Sequence, residues 1–177
     1  MNRRTAIRNV VIISAGSTLL PSCLHNDETL FPLKNISLTG SQQDMLAALS
    51  ETIIPKTKNF IGAKDLKAHE FVMTMVDDCY PPDAQKKFTD GLIQFDKLAK
   101  DKLSESFIKA DAKEKNELLA AIESKKDIPE DALQFYQTVK GHTVQAFTSS
   151  KEYLIDVKHY KIVPGGNFKG CVPVKKS

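Results

Sequence analysis

Apolar residues recur at three- and four-residue spacing in five stretches of the chain, the pattern expected of amphipathic helices. The first helix is predicted to begin at a Ser41 cap and to stop at Pro55, and the second to end at Pro81. The third begins near Asp83, and Pro129 opens the fifth. The positions that we expect to face the core are Met45, Leu46, Leu49 and Ile53; Phe71, Val72, Met75, Val76 and Cys79; Phe88, Leu92, Phe95 and Leu98; Leu118, Leu119 and Ile122; and Leu133, Tyr136, Val139 and Phe147.

The remaining segments are short or irregular. Residues 56–67 contain Gly62 and are predicted to be a loop, and Tyr153–Val157 is predicted to be a short helix. Residues 161–174 are rich in glycine and proline, and no strand-like alternation runs for more than a few residues. We therefore predict an all-α fold: a small helical bundle of about five to six helices with an extended C-terminal arm.

The N-terminus has the order of an export signal. Arg3, Arg4 and Arg8 precede an uncharged, apolar stretch at residues 10–20, which is shorter than the roughly 20 residues of a membrane-spanning helix. The Arg3-Arg4 pair resembles the twin-arginine signal, which exports proteins that fold before they cross. We therefore expect the protein to be exported to the periplasmic side of a bacterial membrane.

The apolar stretch closes on Leu20-Pro21-Ser22-Cys23, which resembles the lipobox of bacterial lipoproteins. In that interpretation Cys23 is acylated and anchors the protein to a membrane surface. The alternative is an ordinary cleaved signal followed by a chance cysteine. The predicted division is an export signal at residues 1–22, a polar tether at 23–40 and one helical domain at 41–177.

Removal of the signal changes the charge balance of the chain. The whole sequence has 25 basic and 22 acidic residues, and its excess of three matches the three arginines of the signal. The mature domain is therefore formally neutral. This balance argues against a nucleic-acid partner, which would require a basic surface on the folded domain.

With Cys23 assigned to the lipid, Cys79 and Cys171 remain in a compartment that permits disulfides, and we predict that they pair. The alternative is two buried free thiols, since free cysteine behaves as a small core residue.

The sequence carries few groups that indicate chemistry. It has no GxGxxG, GxxxxGK[ST], GxSxG, CxxCH or HExxH motif. His69 with Asp65 or with Asp77-Asp78 is the best available cluster, but ordinary surface or core positions explain these residues better, so we assign no catalytic residue and no metal. Pro164-Gly165-Gly166 could offer backbone amides to an anion, although a plain turn is the better explanation, since Pro-Gly pairs are common in turns.

Several short motifs, taken in order and with their spacing, resemble one known family over residues 41–174. That family is the small subunit (subunit 3) of gluconate 2-dehydrogenase and of related membrane-bound, flavin-dependent sugar and polyol dehydrogenases. The residues that carry the resemblance are Glu51-Thr52-Ile53-Ile54-Pro55, Gly62-Ala63-Lys64-Asp65, His69, Phe71, Phe88, Gly91-Leu92, Phe147-Thr148-Ser149, Tyr160, Val163-Pro164-Gly165, Phe168 and Gly170-Cys171-Val172-Pro173.

The resemblance implies a non-catalytic subunit without a cofactor of its own. FAD would lie in a large partner of the glucose-methanol-choline type, often with a cytochrome c as electron acceptor. This chain would assist the export, stability and anchoring of that partner, and the C-terminal arm would contact it through Pro164, Gly165, Phe168 and Gly170. Two alternatives stay open: a stand-alone helical lipoprotein that serves as a scaffold, and a small enzyme built around His69.

Overall fold

The computed structural model describes residues 31–161, apart from residues 104 and 126. Over this part the chain forms five α-helices followed by a one-turn π-helix at Tyr153–Val157, and no strand. The predicted all-α bundle is therefore confirmed, whereas the C-terminal arm lies outside the described residues from residue 162 onward. The α-helices are α1 (Gly40–Ile53), α2 (Ala68–Cys79), α3 (Pro82–Lys102), α4 (Ala112–Glu123) and α5 (Glu130–Thr148).

The N-cap residue of helix α1 is Thr39 and not the predicted Ser41. The Thr39 hydroxyl accepts from the Gln42 backbone N–H, and the Gln42 side chain accepts from the Thr39 N–H at 2.8 Å. This reciprocal pair needs a Glu or Gln three residues after the cap, which Thr39 has. The last backbone bond runs from Ile54 N–H to the Ser50 carbonyl, and the predicted stop at Pro55 is confirmed.

The core is built from the apolar faces of all five α-helices. The predicted inward positions of α1, α3 and α4 are buried apart from Ile53, which is partly buried. Phe135 of α5 lies at the centre, with the rings of Phe88 and Phe95 at centroid distances of 5.0 and 5.4 Å. Phe107, from the connection between α3 and α4, packs on Phe95 at 5.3 Å and was not predicted as a core residue.

Helices α3 and α5 pack closely because a glycine faces the contact. A Cβ added at Gly91 would lie 2.5 Å from the Asp131 carbonyl oxygen and 2.8 Å from the Phe135 Cβ. Glycine usually weakens a helix. Here the missing side chain permits the approach of α5.

A shared carboxylate joins α4 to α5. Glu123 accepts from the Tyr136 hydroxyl at 2.6 Å and from the Lys140 ammonium. The hydrogen bond from Lys140, with that from Tyr136, holds the pKa of Glu123 below its ordinary value. Burial, together with the Glu123 carboxylate, raises the pKa of Tyr136, so this phenol stays protonated and donates.

The predicted tether is too long at its C-terminal end, because residues 31–39 belong to the folded domain. Ile36 and Leu38 are buried, and Phe31 and Leu33 pack against the core. Asp77 of α2 holds this segment: its carboxylate accepts from the backbone N–H groups of residues 34, 35 and 36 at 2.7–2.8 Å. The segment is irregular, as predicted, but it is not a free linker.

The buried face of α2 differs from the predicted one. Val72, Met73 and Val76 are buried, whereas Phe71 and Met75 are only partly buried. Cys79 was predicted to end the buried face and is in fact exposed, with a free thiol. The helix ends at this residue, so no following turn covers it.

On α5, Tyr136 and Val139 are buried as predicted, whereas Leu133 and Phe147 are partly buried.

None of the helices in the described part of the chain combines the length and hydrophobicity needed to cross a bilayer.

Candidate functional site

The loop after α1 is organised around one carboxylate, that of Glu51. Its Oε1 accepts from the Lys56 backbone N–H at 2.8 Å, and its Oε2 accepts from the Lys64 N–H at 3.0 Å. These two residues lie at the two ends of the loop, so the carboxylate draws both ends toward the last turn of α1. A backbone bond from Ala63 N–H to the Ile54 carbonyl at 2.9 Å closes the same arrangement.

Gly62 is required by this geometry. A Cβ at that position would lie 2.5 and 2.7 Å from the two Glu51 carboxylate oxygens and 2.7 Å from the Lys56 backbone nitrogen. No side chain fits there without moving the loop or the carboxylate. The motif residues Glu51 and Gly62, which are distant in sequence, therefore form one structural unit.

An ion pair fastens the outer side of this loop. The Lys56 ammonium lies 2.9 Å from the Asp65 carboxylate, and both side chains are largely exposed. Their hydrogen bond raises the pKa of Lys56 and lowers that of Asp65. Because the pair is solvated, it adds little stability, and its main effect is on the shape of the loop.

A groove of about 400 Å³ opens beside this loop, between α1 and the first half of α4. Its floor consists of small apolar side chains, among them Ala47, Ala48 and Ala112, and Ile108 is 40% exposed at its edge. Charged side chains of both signs line it as well, including Glu51 and Lys115. Glu51 and Lys115 also have hydrogen-bond partners within the chain: Glu51 holds the loop, and the Lys115 ammonium donates to the Ile108 carbonyl at 3.1 Å.

The structure does not assemble the cluster that the sequence offered around His69. Asp65 pairs with Lys56, and the Asp77 carboxylate is taken up by three backbone N–H groups. Burial lowers the pKa of His69, and its Nδ1 is buried without a hydrogen-bond partner in the described part of the chain. Neutral His69 therefore packs at the start of α2.

His142 joins two helices. Its Nε2 lies 2.9 Å from the Tyr80 hydroxyl at the end of α2, and its Nδ1 lies 3.2 Å from Gln145 Oε1. The Phe71 ring meets the imidazole edge-on at a centroid distance of 6.2 Å. The Nε2 contact thus joins α5 to the end of α2, whereas the Nδ1 contact lies within α5. His159 is exposed just beyond the π-helix, and in the sequence it is separated from both His69 and His142.

Across residues 31–161, excluding 104 and 126, no group of three or more His, Cys, Asp or Glu side chains is arranged to hold a metal ion. The sequence did not predict that Glu51 holds the loop after α1 or that Asp77 holds residues 34–36. A signal existed for Glu51, since a carboxylate in the last turn of a helix opposes the helix dipole and calls for donors nearby.

Several predicted residues fall outside the described part of the chain, and their roles stay predictions. They are Arg3, Arg4, Cys23, Pro164, Gly165, Phe168, Gly170 and Cys171. Cys79, the other half of the predicted disulfide, is described and accessible.

Comparison with known proteins identifies a family. Residues 40–165 match the sequence profile described as Gluconate 2-dehydrogenase subunit 3. The match begins at the first residue of α1 and extends past the π-helix, so it includes the whole helical bundle and the loop held by Glu51. Searches of curated proteins and of solved structures found no match to the chain.

Proposed function

The chain belongs to the gluconate 2-dehydrogenase subunit 3 family, and from that premise we propose that it is the non-catalytic small subunit of a flavoprotein dehydrogenase acting on sugars or sugar acids. The family consists of accessory subunits of a multi-subunit dehydrogenase, which implies a larger catalytic partner. The observation that carries the proposal is the family match over the entire bundle.

The use of polar side chains inside the domain supports an accessory role. Glu51, Asp77 and His142 are three of the potentially reactive side chains in the described domain. Each of them spends its hydrogen-bonding capacity on a loop, a segment or a helix contact. In the proposed complex the large partner binds FAD and passes a hydride from a substrate hydroxyl to the flavin. This chain contributes folding, export and attachment.

The N-terminal residues supply the proposed export and attachment. Arg3 and Arg4 would direct a folded complex through the twin-arginine route, so that a partner without its own signal is carried along. Acylation of Cys23 would then hold the complex on the periplasmic face of the membrane. Electrons would leave the flavin to an acceptor such as a cytochrome c.

We propose the C-terminal arm as the contact with the large subunit, through Pro164, Gly165, Phe168 and Gly170. A glycine- and proline-rich segment has little structure of its own to give up, and it can order against a partner.

The proposal is tested by removing the chain from its native host and returning variants of it. Dye-linked, flavin-dependent sugar or sugar-acid oxidation is measured in membranes and in the soluble exported fraction. We expect deletion to abolish the membrane activity and the wild-type chain to restore it. Cys23→Ser should move the activity to the soluble exported fraction, and Arg3→Lys with Arg4→Lys should retain it in the cytoplasm.

The matched control is Lys109→Arg, a conservative change at an exposed position of the domain, which should restore membrane activity fully. If deletion leaves every such oxidation unchanged, the stand-alone scaffold lipoprotein becomes the better account.

A further inference from the structure

Three large apolar side chains are exposed close together in and just after the π-helix. Ile155, Val157 and Tyr160 are 48–59% exposed, although they lie within six residues of one another. A single exposed apolar side chain on a protein surface needs no explanation. Three in one short segment indicate a surface that is covered in the working state of the protein.

This segment has a defined backbone. The Lys158 N–H donates to the Tyr153 carbonyl at 3.0 Å. The Tyr160 N–H donates to the Leu154 carbonyl at 2.8 Å. Between them His159 has a φ of 49°, a left-handed conformation that turns the chain back. The exposed apolar side chains are therefore presented by a closed turn that is bonded to the π-helix.

The loop after α1 lies beside the π-helix, because both contact the end of α5. The Phe60 ring of the loop meets the Phe147 ring edge-on at a centroid distance of 5.4 Å. On the π-helix, the Tyr153 ring lies 5.5 Å from the same Phe147 ring. These two ring contacts bring residues 56–67 and 151–161 together at one end of the bundle.

This end of the bundle is basic, whereas the rest of the described range is acidic. Residues 56–67 and 151–161 together have seven lysines and three acidic residues. The remainder of residues 31–161 has twelve lysines and seventeen acidic residues. We call the two segments, 56–67 and 151–161, the basic end.

Several lysines of the basic end are free to bind an external anion. Lys56 and Lys67 each pair with an acidic side chain of the domain. Among the described residues, no acidic group lies within 4.0 Å of the ammonium groups of Lys58, Lys151 or Lys161. The last two of these flank the exposed apolar side chains in sequence.

We propose that the basic end binds the surface of a membrane that contains anionic phospholipids. Ile155, Val157 and Tyr160 enter the interface between headgroups and acyl chains, and the lysines lie among the headgroup phosphates. Protein segments that rest on a membrane combine apolar side chains with lysines in this way. A tyrosine suits the interface because its ring is apolar and its hydroxyl can stay in water.

This contact goes beyond the proposed function, because it requires neither acylation of Cys23 nor a flavoprotein partner. Stable attachment to a membrane takes two signals, such as lipidation together with a basic patch. If Cys23 is acylated, the basic end supplies the second signal and fixes which side of the domain faces the lipid.

The first test uses tryptophan fluorescence, since the chain contains no tryptophan. Tyr160→Trp places a reporter in the basic end. Ile93→Trp is the matched control on α3, because Ile93 is 56% exposed and Tyr160 is 59% exposed. Both full-length variants carry Cys23→Ser to exclude acylation. They are mixed with vesicles of phosphatidylglycerol and phosphatidylcholine with brominated acyl chains, and with vesicles of phosphatidylcholine alone.

We expect the emission of Tyr160→Trp to shift to shorter wavelength and to be quenched by the brominated chains in the anionic vesicles only. The emission of Ile93→Trp should stay unchanged. Equal changes in both variants would overturn the proposal, because binding through the N-terminus would then explain them. It would also be overturned if Tyr160→Trp responded to no vesicle and were protected from iodide only in a complex with a larger chain. A protein partner would then be the occupant.

The second test removes charge from the basic end in the Tyr160→Trp chain. The three unpaired lysines are replaced together: Lys58→Gln, Lys151→Gln and Lys161→Gln. The matched control makes the same change in net charge at exposed lysines elsewhere: Lys87→Gln, Lys97→Gln and Lys109→Gln. Thermal melting verifies the fold of each variant.

The measured quantity is the ratio of inserted to exposed tryptophan in anionic vesicles at low salt. Each lysine near an anionic membrane surface contributes about fivefold in affinity, so we expect the first variant to lower this ratio about a hundredfold. The control should change it little. Equal losses in the two variants would overturn the proposal, because they would reflect net charge and not a specific surface.

Discussion

Two glycines in helix interiors have opposite surroundings, and this difference gives a sharp test of the packing. Gly91 lies against the α5 backbone, whereas Gly141 faces open space among the described residues. Helix propensity alone predicts that alanine stabilises both positions. The packing predicts that alanine is tolerated at Gly141 and not at Gly91.

Gly91→Ala should lower the free energy of unfolding by about 1–3 kcal/mol, because its methyl group would press on the Asp131 carbonyl, which cannot rotate away. Gly141→Ala should raise the free energy of unfolding by up to about 1 kcal/mol, because a methyl group at this position meets no described atom. Urea denaturation of both variants provides the measurement. Equal gains at the two sites would contradict the close α3–α5 contact.

Glu51 is the second residue whose role is specific. Glu51→Gln keeps the shape of the side chain but turns an N–H₂ group toward one of the two loop N–H donors. We expect a loss of about 1–2 kcal/mol in unfolding free energy. We also expect faster hydrogen exchange at the Lys56 or Lys64 amide.

The matched control is Glu117→Gln, which alters an exposed carboxylate of α4 whose ion pair with Lys113 is 3.8 Å long. It should leave stability and the loop amides unchanged. Unchanged exchange at both loop amides in Glu51→Gln would show that the carboxylate does not hold the loop.

At the residue scale, the sequence indicated which residues are important but not which contacts they make. Glu51 and Gly62 were recognised as parts of a motif. Their mutual contact depends on the turn that brings residues 51, 56 and 64 together, and no periodicity encodes that turn. The predicted cluster around His69 does not form for the same reason. Asp65 pairs with Lys56, and Asp77 accepts from backbone N–H groups.

At the scale of elements, the segment at residues 31–39 is held to α2 by one side chain. Burial alone would raise the pKa of the Asp77 carboxyl, but donation from the backbone N–H groups of residues 34–36 outweighs it and lowers the pKa below 3.8. A carboxyl with a depressed folded-state pKa stabilises the fold above its unfolded pKa. The contribution is lost as the pH falls below 3.8 through the folded value.

Asp77→Asn should therefore destabilise the protein at neutral pH by about 1–3 kcal/mol, because one backbone donor loses its acceptor. The gap between wild type and variant should close as the pH falls below 3.8. The measurement is the unfolding free energy of both proteins as a function of pH.

The neighbouring Asp78→Asn serves as the control, since Asp78 is exposed and lies 3.9 Å from Lys34. We expect a small effect without the same pH dependence. A gap for Asp77→Asn that persists at low pH would mean that the carboxylate charge is not what holds the segment.

Helix number, order and approximate bounds were predictable because each helix shows one apolar face. The start of α1 was wrong by two residues, since two hydroxyl residues compete and only Thr39 completes a reciprocal cap. The sequence predicts a tether at residues 31–39, because buried irregular backbone shows no hydrophobic periodicity. The backbone N–H groups of residues 34–36 donate to Asp77 of α2. Local sequence does not encode this contact, because it joins segments that are distant in the chain.

At the scale of the whole molecule, the domain is a small helical body whose polar groups are used to fix loops and helix contacts. Such a domain is suited to presenting surfaces. The groove beside α1 is one such surface among the described residues, and its Glu51 and Lys115 are engaged in contacts within the chain. In the proposed complex the chemistry would belong to the large partner, and the small subunit would determine where that partner is delivered.

The most direct measurement is co-purification from the native host. The full-length chain carries a C-terminal affinity tag, membranes are solubilised gently, and the visible spectrum of the purified material is recorded with its subunit composition. The account predicts flavin absorbance and a larger chain that co-purifies with the tagged one. A colourless chain recovered alone, under conditions in which other membrane complexes stay intact, would contradict it.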